Sequence, residues 1–143
     1  MPRVFISDKL EPAGVELLRQ AGLEIDDRPG LTGPALQAAL QQADGVIIRS
    51  GTRLTAPLLE NAGKLRVVVR AGVGVDNIDV PAATRRGIVV MNTPGGNTVS
   101  TAEQTLALLF ALARHTPEAD ASLKQGRWER GRLTGTQLAG KTL

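Results

Sequence analysis

Short runs of apolar and β-branched residues alternate along the chain with longer segments in which apolar positions recur every three or four residues. Five of the short runs have the length and composition of strands. They are residues 3–7, 23–27, 45–49, 65–70 and 88–91. Because a helical segment separates each run from the next, the pattern predicts an α/β domain with a parallel sheet.

The segments between the predicted strands carry signals for the start and end of helices. A proline stands at or near each first turn, and Thr32, Thr55 and Asp79 are candidate N-caps. Parallel crossovers are right-handed and place helices on both faces of a sheet. We therefore expect residues 1–98 to form a flavodoxin-like, doubly wound, five-stranded parallel sheet.

A different pattern begins after residue 98. Ser100 and Glu103 have the spacing of a capping box, and residues 106–113 are almost entirely apolar. A helix that is apolar on nearly every side is normally buried. We expect this long helix to be followed by a second one over residues 116–125 and then by a glycine-rich arm.

Composition excludes several classes of function. The chain has no cysteine and a single histidine, His115, so neither a disulfide framework nor a zinc site is expected. The net charge is only +3 and aromatic residues make up 2%, which argues against nucleic-acid binding. No apolar run reaches the ~20 residues that span a bilayer. We expect a cytoplasmic protein without a metal or a membrane partner.

Three loops follow the predicted strands at the edge where doubly wound sheets bind ligands. They are residues 49–51, 70–74 and 92–97. Residues 72–77 nearly repeat the dinucleotide fingerprint GxGxxG, but Asn77 replaces the third glycine and no acidic residue follows ~20 positions later. Glycine N–H groups together with Arg70 would suit a carboxylate. A tight turn with a solvent-facing Arg70 explains the same residues equally well.

One further match is to the phosphate-loop pattern GxxxxGK[ST], at residues 135–142. A working phosphate loop needs an apolar strand before it and a helix after it, so that N–H groups converge on the phosphates. Residues 130–134, with the sequence RGRLT, do not form such a strand. We therefore expect the match to be coincidental and expect no nucleotide hydrolysis.

Several ordered motifs together carry a family resemblance that covers essentially the whole chain. They are RVVVRAGVGVDNID at 66–79, GIVVMNTPGGNTVSTAE at 87–103, WER at 128–130 and GKTL at 140–143. They closely resemble the D-2-hydroxyacid dehydrogenase family, in its 3-phosphoglycerate dehydrogenase branch. The resemblance implies an NAD-dependent oxidoreductase of two domains that oxidises the C2 hydroxyl of 3-phosphoglycerate in serine biosynthesis. Residues 1–98 would be its substrate-binding domain, and residues 99–143 the truncated start of its dinucleotide-binding domain.

The same resemblance implies roles for particular positions. The substrate-binding residues would be Arg49, Arg70, Ala71, Gly72, Val73, Asn97 and Arg130. Val73 and Gly74 would contact the cofactor, although Val73 lacks the hydroxyl group of the threonine found in many relatives. The family's catalytic Arg, Glu and His, and its glycine-rich dinucleotide loop, would lie beyond residue 143. No catalytic residue is therefore expected in this chain, and His115 matches no catalytic position.

Two functions of different classes follow from these residues. The first is the substrate-binding part of such a dehydrogenase, inactive by itself and dimeric through the helix after Ser100, with Arg130 reaching toward the neighbour's site. The second is a free-standing flavodoxin-like module that binds a small anion. A receiver domain would need an Asp where Arg49 stands, and a flavodoxin would need a phosphate loop where Ser7 and Asp8 stand.

Overall fold

The computed structural model describes residues 1–142, which form two compact units, Met1–Gly96 and a second unit from Asn97 onward. In the described part of the chain, the first unit holds five strands and four helices and the second holds two helices. None of the helices in residues 1–142 is sufficiently long and hydrophobic to traverse a lipid bilayer.

All five predicted strands are present and form one parallel sheet. The strands are β1 (Arg3–Ile6), β2 (Glu24–Asp27), β3 (Gly45–Ile48), β4 (Val67–Arg70) and β5 (Val89–Asn92). Their order in the sheet is β2-β1-β3-β4-β5, which is the flavodoxin-like order. The predicted fold class is confirmed.

Four helices connect these strands, and each has a proline in its first two positions. The helices are α1 (Pro12–Gln20), α2 (Gly33–Gln42), α3 (Ala56–Glu60) and α4 (Val80–Arg85). Asp79 caps α4 as predicted, since its Oδ1 accepts the N–H of Ala82 at 2.9 Å. Thr32 and Thr55 also occupy the predicted N-cap positions, but their side chains make no capping hydrogen bond. The prolines that follow already fix the backbone φ of the first turn.

The hydrophobic core lies between one face of the sheet and helices α2, α3 and α4. Phe5, Val46, Ile48 and Val68 are buried there, and all four are at most 1% exposed. Successive strand residues point to opposite faces, so Arg70 is on the same face as Val68. The core therefore leads directly to the loops at the carboxyl ends of the strands.

The opposite face of the sheet is much less covered. A right-handed crossover between β1 and β2 leaves α1 alone on that face among the four helices of the first unit. An open cavity of 840 Å³ lies there, lined by Val4, Ile47, Val67, Val69 and Val89. We call these five side chains the open sheet face.

The second unit contains α5 (Thr98–Ala113) and α6 (Thr116–Lys124). The predicted capping box is wrong, because α5 begins before Ser100 and the Ser100 hydroxyl instead donates to the carbonyl oxygen of Asn97 at 3.1 Å. No residue of α5 is buried within the described chain, contrary to the expectation for so apolar a helix. His115 joins the two helices with a left-handed backbone, φ 52°.

Candidate functional site

The register of the sheet brings the predicted ligand loops together. Ile48, Arg70 and Asn92, the last residues of β3, β4 and β5, are paired across the sheet. The N–H of Ala71 donates to the Ile48 carbonyl at 2.8 Å, and the N–H of Thr93 donates to the Gly72 carbonyl at 3.0 Å. The three loops therefore begin side by side at one edge of the unit.

Arg70 folds back over the loop that follows it. Its Nε atom is buried without a hydrogen-bond partner, and no carboxylate in residues 1–142 pairs with its guanidinium group. A Cβ atom at Gly72 would lie 2.9 Å from Cζ of Arg70. Gly72 is therefore needed for space, and its absent side chain allows the cation to lie against the backbone of the loop.

The backbone N–H groups of this loop are divided into two sets. The N–H groups of Ala71 and Gly72 donate to the carbonyl oxygens of Ile48 and Arg70, at 2.8 and 2.9 Å respectively. Those of Val73 and Gly74 donate to no acceptor within residues 1–142. The donors that an anion could use directly are therefore those of Val73 and Gly74, beside the guanidinium group of Arg70.

The near-match to the dinucleotide fingerprint has an internal explanation. A Cβ atom at Gly74 would lie 2.7 Å from Oδ1 of Asp76, so this glycine, like Gly72, makes room for a side chain of its own loop. The carbonyl oxygen of Val73 accepts the side-chain amide of Asn92 at 2.7 Å. Helix α4 begins only at Val80, so it does not start at the glycines as the dinucleotide fingerprint requires.

The loop after β3, residues 49–52, is held by two side chains from other loops. Oδ2 of Asp8 accepts the N–H groups of Arg49 and Thr52 at 2.6 and 3.1 Å. Nδ2 of Asn77 donates to the carbonyl oxygens of the same two residues, both at 2.7 Å. The side chain of Arg49 is exposed and makes one long contact, 3.5 Å, to the carbonyl oxygen of Lys9.

Sequence reasoning did not assign Asp8 and Asn77 to this site. Asp8 follows β1 and Asn77 lies in the loop after β4, so both occupy the ligand-binding edge of a doubly wound sheet. Their positions after two predicted strands could have indicated that both residues belong to the site. Their contacts join residues that are 41 and 28 positions apart, and these partners could not be read from spacing along the chain.

The two other predicted substrate residues belong to the second unit. Asn97 is the N-cap residue of α5 and makes no side-chain capping bond. Arg130 is exposed and, with Trp128 and Ser122, lines a cavity of 280 Å³. Beside it, a hydrogen bond from Arg132, together with one from Ser122, lowers the pKa of Glu129. The second unit therefore has a pocket of its own, with a mainly apolar lining to which Arg130 and Glu129 also contribute.

The phosphate-loop match lacks the required context. Residues 135–142 contain no helix, and Gly135 packs on the end of α5, where a Cβ atom would lie 2.8 Å from Cα of Arg114. No group of three or more His, Asp or Glu side chains in residues 1–142 is arranged to hold a metal ion. Neither feature adds to the site at the strand ends.

Comparison with known proteins identifies relatives over almost the whole chain. The sequence profile of the family described as D-isomer specific 2-hydroxyacid dehydrogenase, catalytic domain, matches residues 4–138. D-3-phosphoglycerate dehydrogenase from Homo sapiens is 50% identical over 141 residues, which make up 99% of this chain. The chain spans 26% of the length of that relative.

Two solved structures resemble the fold and share enough sequence to support the relationship. A protein from Thermus thermophilus has a TM-score of 0.83 and 37% identity, covering 96% of this chain and 46% of that protein. The NAD+-bound 3-phosphoglycerate dehydrogenase from Entamoeba histolytica has a TM-score of 0.71 and 30% identity, covering 79% of this chain and 39% of that enzyme.

Proposed function

This chain belongs to the D-isomer specific 2-hydroxyacid dehydrogenase family, and we propose that it supplies the substrate-binding part of an NAD-dependent 3-phosphoglycerate dehydrogenase. The reaction would oxidise the C2 hydroxyl group of 3-phosphoglycerate, at the start of serine biosynthesis. Similarity to relatives named D-3-phosphoglycerate dehydrogenase supports this substrate. In this proposal residues 1–98 form the substrate-binding domain and residues 99–143 begin the dinucleotide-binding domain.

The unpaired guanidinium group of Arg70 is the observation that carries the proposal. No carboxylate within residues 1–142 pairs with this guanidinium group, and a carboxylate or phosphate of the substrate would supply charge-assisted acceptors for its N–H groups. The N–H groups of Val73 and Gly74 lie in the same loop and lack acceptors among the described residues. Arg49 follows the neighbouring strand and adds a second positive charge. Together they suit a substrate with two anionic groups.

NAD, when bound to such an enzyme, accepts the hydride from the C2 carbon. The loop after β4 does not fit a dinucleotide cradle, because Gly72 and Gly74 make room for Arg70 and Asp76 and α4 begins only at Val80. We therefore assign to this chain the binding and orientation of the substrate's anionic groups. Val73 and Gly74, at the exposed end of the loop, are proposed to contact the cofactor only at the edge of its site.

The anion site is tested by titrating the chain with D-3-phosphoglycerate at low salt, followed by NMR. We expect weak binding that decreases with added salt, because exposed ion contacts are screened. Arg70→Ala should weaken it about tenfold or more. Arg66→Ala removes the same charge just before β4, at the other end of that strand, and should leave the affinity near its original value. Unchanged binding by Arg70→Ala would contradict the proposal.

The 143-residue chain by itself is expected to be inactive. Hydride transfer needs a positioned nicotinamide and a general base, and the resemblance assigns both to residues that follow this segment. NADH formation with D-3-phosphoglycerate is the measurement, and turnover by this chain would mean that catalytic residues have been assigned wrongly. Anion binding without turnover in the complete polypeptide would favour a free-standing flavodoxin-like binding module.

We also propose that the chain is a cytoplasmic homodimer that associates through α5. Leu106, Leu108, Phe110 and Leu112 on this helix are 48–79% exposed. A two-fold interface would bury such a surface in a closed assembly, and Arg130 would then reach toward the neighbour's substrate site. Light scattering after size exclusion distinguishes a dimer from a monomer. A monodisperse monomer at micromolar concentration would contradict the proposed dimer.

A further inference from the structure

The loop after β3 is wrapped around the carboxylate of Asp8. One oxygen of this carboxylate accepts the N–H groups at both ends of the loop, from Arg49 and Thr52. The other oxygen would lie 2.5 Å from a Cβ atom at Gly51. The middle of the loop therefore passes so close to Asp8 that a side chain at position 51 would displace the carboxylate.

Asn77 holds the same loop through its carbonyl groups. Its Nδ2 atom donates to the carbonyl oxygens of Arg49 and Thr52, and a reversed amide would instead direct its oxygen at two acceptors. The hydroxyl of Thr52 in turn bonds with that of the buried Ser7 at 2.8 Å. At both ends of the loop, the backbone N–H and carbonyl groups are thus all bonded.

Arg49 is held by its backbone and free at its side chain. Its N–H and carbonyl groups are fixed by Asp8 and Asn77, whereas its guanidinium group makes a single 3.5 Å contact. A fixed Cα position limits where the guanidinium group can reach, and less backbone freedom is lost when a ligand binds. The backbone of Arg49 is therefore fixed at the same edge of the sheet as Arg70, and its side chain can bind a ligand there.

We propose that Asp8 and Asn77 are positioning residues for Arg49 in substrate binding, an inference that rests on the proposed function. Asp8 has two opposed effects on an anionic ligand. Its negative charge repels the ligand, while its hydrogen bonds hold the loop that presents Arg49. Removing the side chain would strengthen binding if charge were its only influence, and would weaken binding if it positions the loop.

The test compares variants of the complete polypeptide that carries this chain, using calorimetric titration with D-3-phosphoglycerate. Asp8→Ala should weaken binding about tenfold. Asp8→Asn retains an oxygen that can accept both N–H groups and should bind within about threefold of the original protein, or more tightly. Gly51→Ala should weaken binding, because the added Cβ displaces the carboxylate. The matched control is Asp27→Ala, which removes an exposed carboxylate at the end of β2 and should have little effect.

Steady-state kinetics supply a second readout that general loss of structure would not give. The KM for D-3-phosphoglycerate should rise in Asp8→Ala while the KM for NAD stays within about twofold of the original value. If Asp8→Ala does not fold, the two KM values are compared in Gly51→Ala and Asn77→Ala instead. Equal or tighter binding by the alanine variants, or equal weakening in Asp8→Asn, overturns the positioning role alone. A parent protein that does not bind D-3-phosphoglycerate contradicts the proposed function instead.

Discussion

Replacing Gly72 by alanine should weaken the binding of D-3-phosphoglycerate while leaving the free energy of unfolding almost unchanged. The new Cβ would lie 2.9 Å from Cζ of Arg70, so the guanidinium group must leave its place over the loop. The obstacle is the end of a flexible side chain, and Gly72 does not have a positive φ angle. The backbone can therefore accept alanine, and the cation moves instead.

The expected changes in affinity and stability for Gly72→Ala follow from general values for the loss of a hydrogen bond and for glycine-to-alanine substitution. Loss of a hydrogen bond to a charged group costs about 1.5–3 kcal/mol, which corresponds to roughly ten- to a hundredfold in affinity for D-3-phosphoglycerate. The free energy of unfolding should change by less than about 1 kcal/mol, since a glycine-to-alanine change without backbone strain has an effect of that size.

Urea denaturation and an NMR titration at low salt measure the two quantities on the same samples. Gly14→Ala in α1 is the control, because its Cβ would meet no atom within 4 Å and the residue takes no part in the site. We expect it to retain most of the affinity that Gly72→Ala loses. The reasoning is refuted if Gly72→Ala binds as tightly as the original chain, or if it unfolds with a loss above about 2 kcal/mol.

Two further predictions concern stability. Gly63→Ala should lower the free energy of unfolding by about 2–5 kcal/mol, because Gly63 has φ 59° and its Cβ would lie 2.7 Å from a backbone oxygen of α2. Gly22→Ala, at φ 77° in open space, should cost only about 1–2 kcal/mol, and equal losses in urea would contradict the steric argument. The hydrogen bond from Arg28 lowers the pKa of Asp26 below its ordinary value of 3.8. The ionised Asp26 therefore stabilises the folded chain above pH 3.8, and this stabilisation disappears as the pH falls through the folded-state pKa. Asp26→Asn should accordingly destabilise the chain at neutral pH and not at low pH, and a difference independent of pH would count against this pairing.

The strands were predictable because their signal is local. Val67, Val68 and Val69 are consecutive β-branched residues, and they form the strand that the pattern indicates. The predicted start at Leu65 was two residues early. Leu65 is buried in the core, but its N–H bonds with Ala62 in a turn rather than with the sheet. Hydrophobicity identified a core residue there and could not distinguish it from a strand residue.

The candidate site was predictable only in part. Arg70 and Gly72 are two positions apart, so their association could be suspected from the sequence. The hold of Asp8 and Asn77 on Arg49 depends on the strand order, which places β1 beside β3 and β3 beside β4. Side-chain hydrogen bonds between loops from different strands leave no periodic pattern in the sequence. This part of the site could therefore be identified only from the three-dimensional structure.

The open sheet face also affects how the first unit responds to temperature. Its valine and isoleucine side chains keep contact with water in the folded state, and Val89 is 55% exposed. Unfolding then hydrates less new apolar surface, which is the main source of the positive heat-capacity change, about 0.45 cal/K/mol per Å². The curve of stability against temperature is therefore flatter than for a sheet covered on both faces. Cooling below the temperature of maximum stability removes less of the folding free energy.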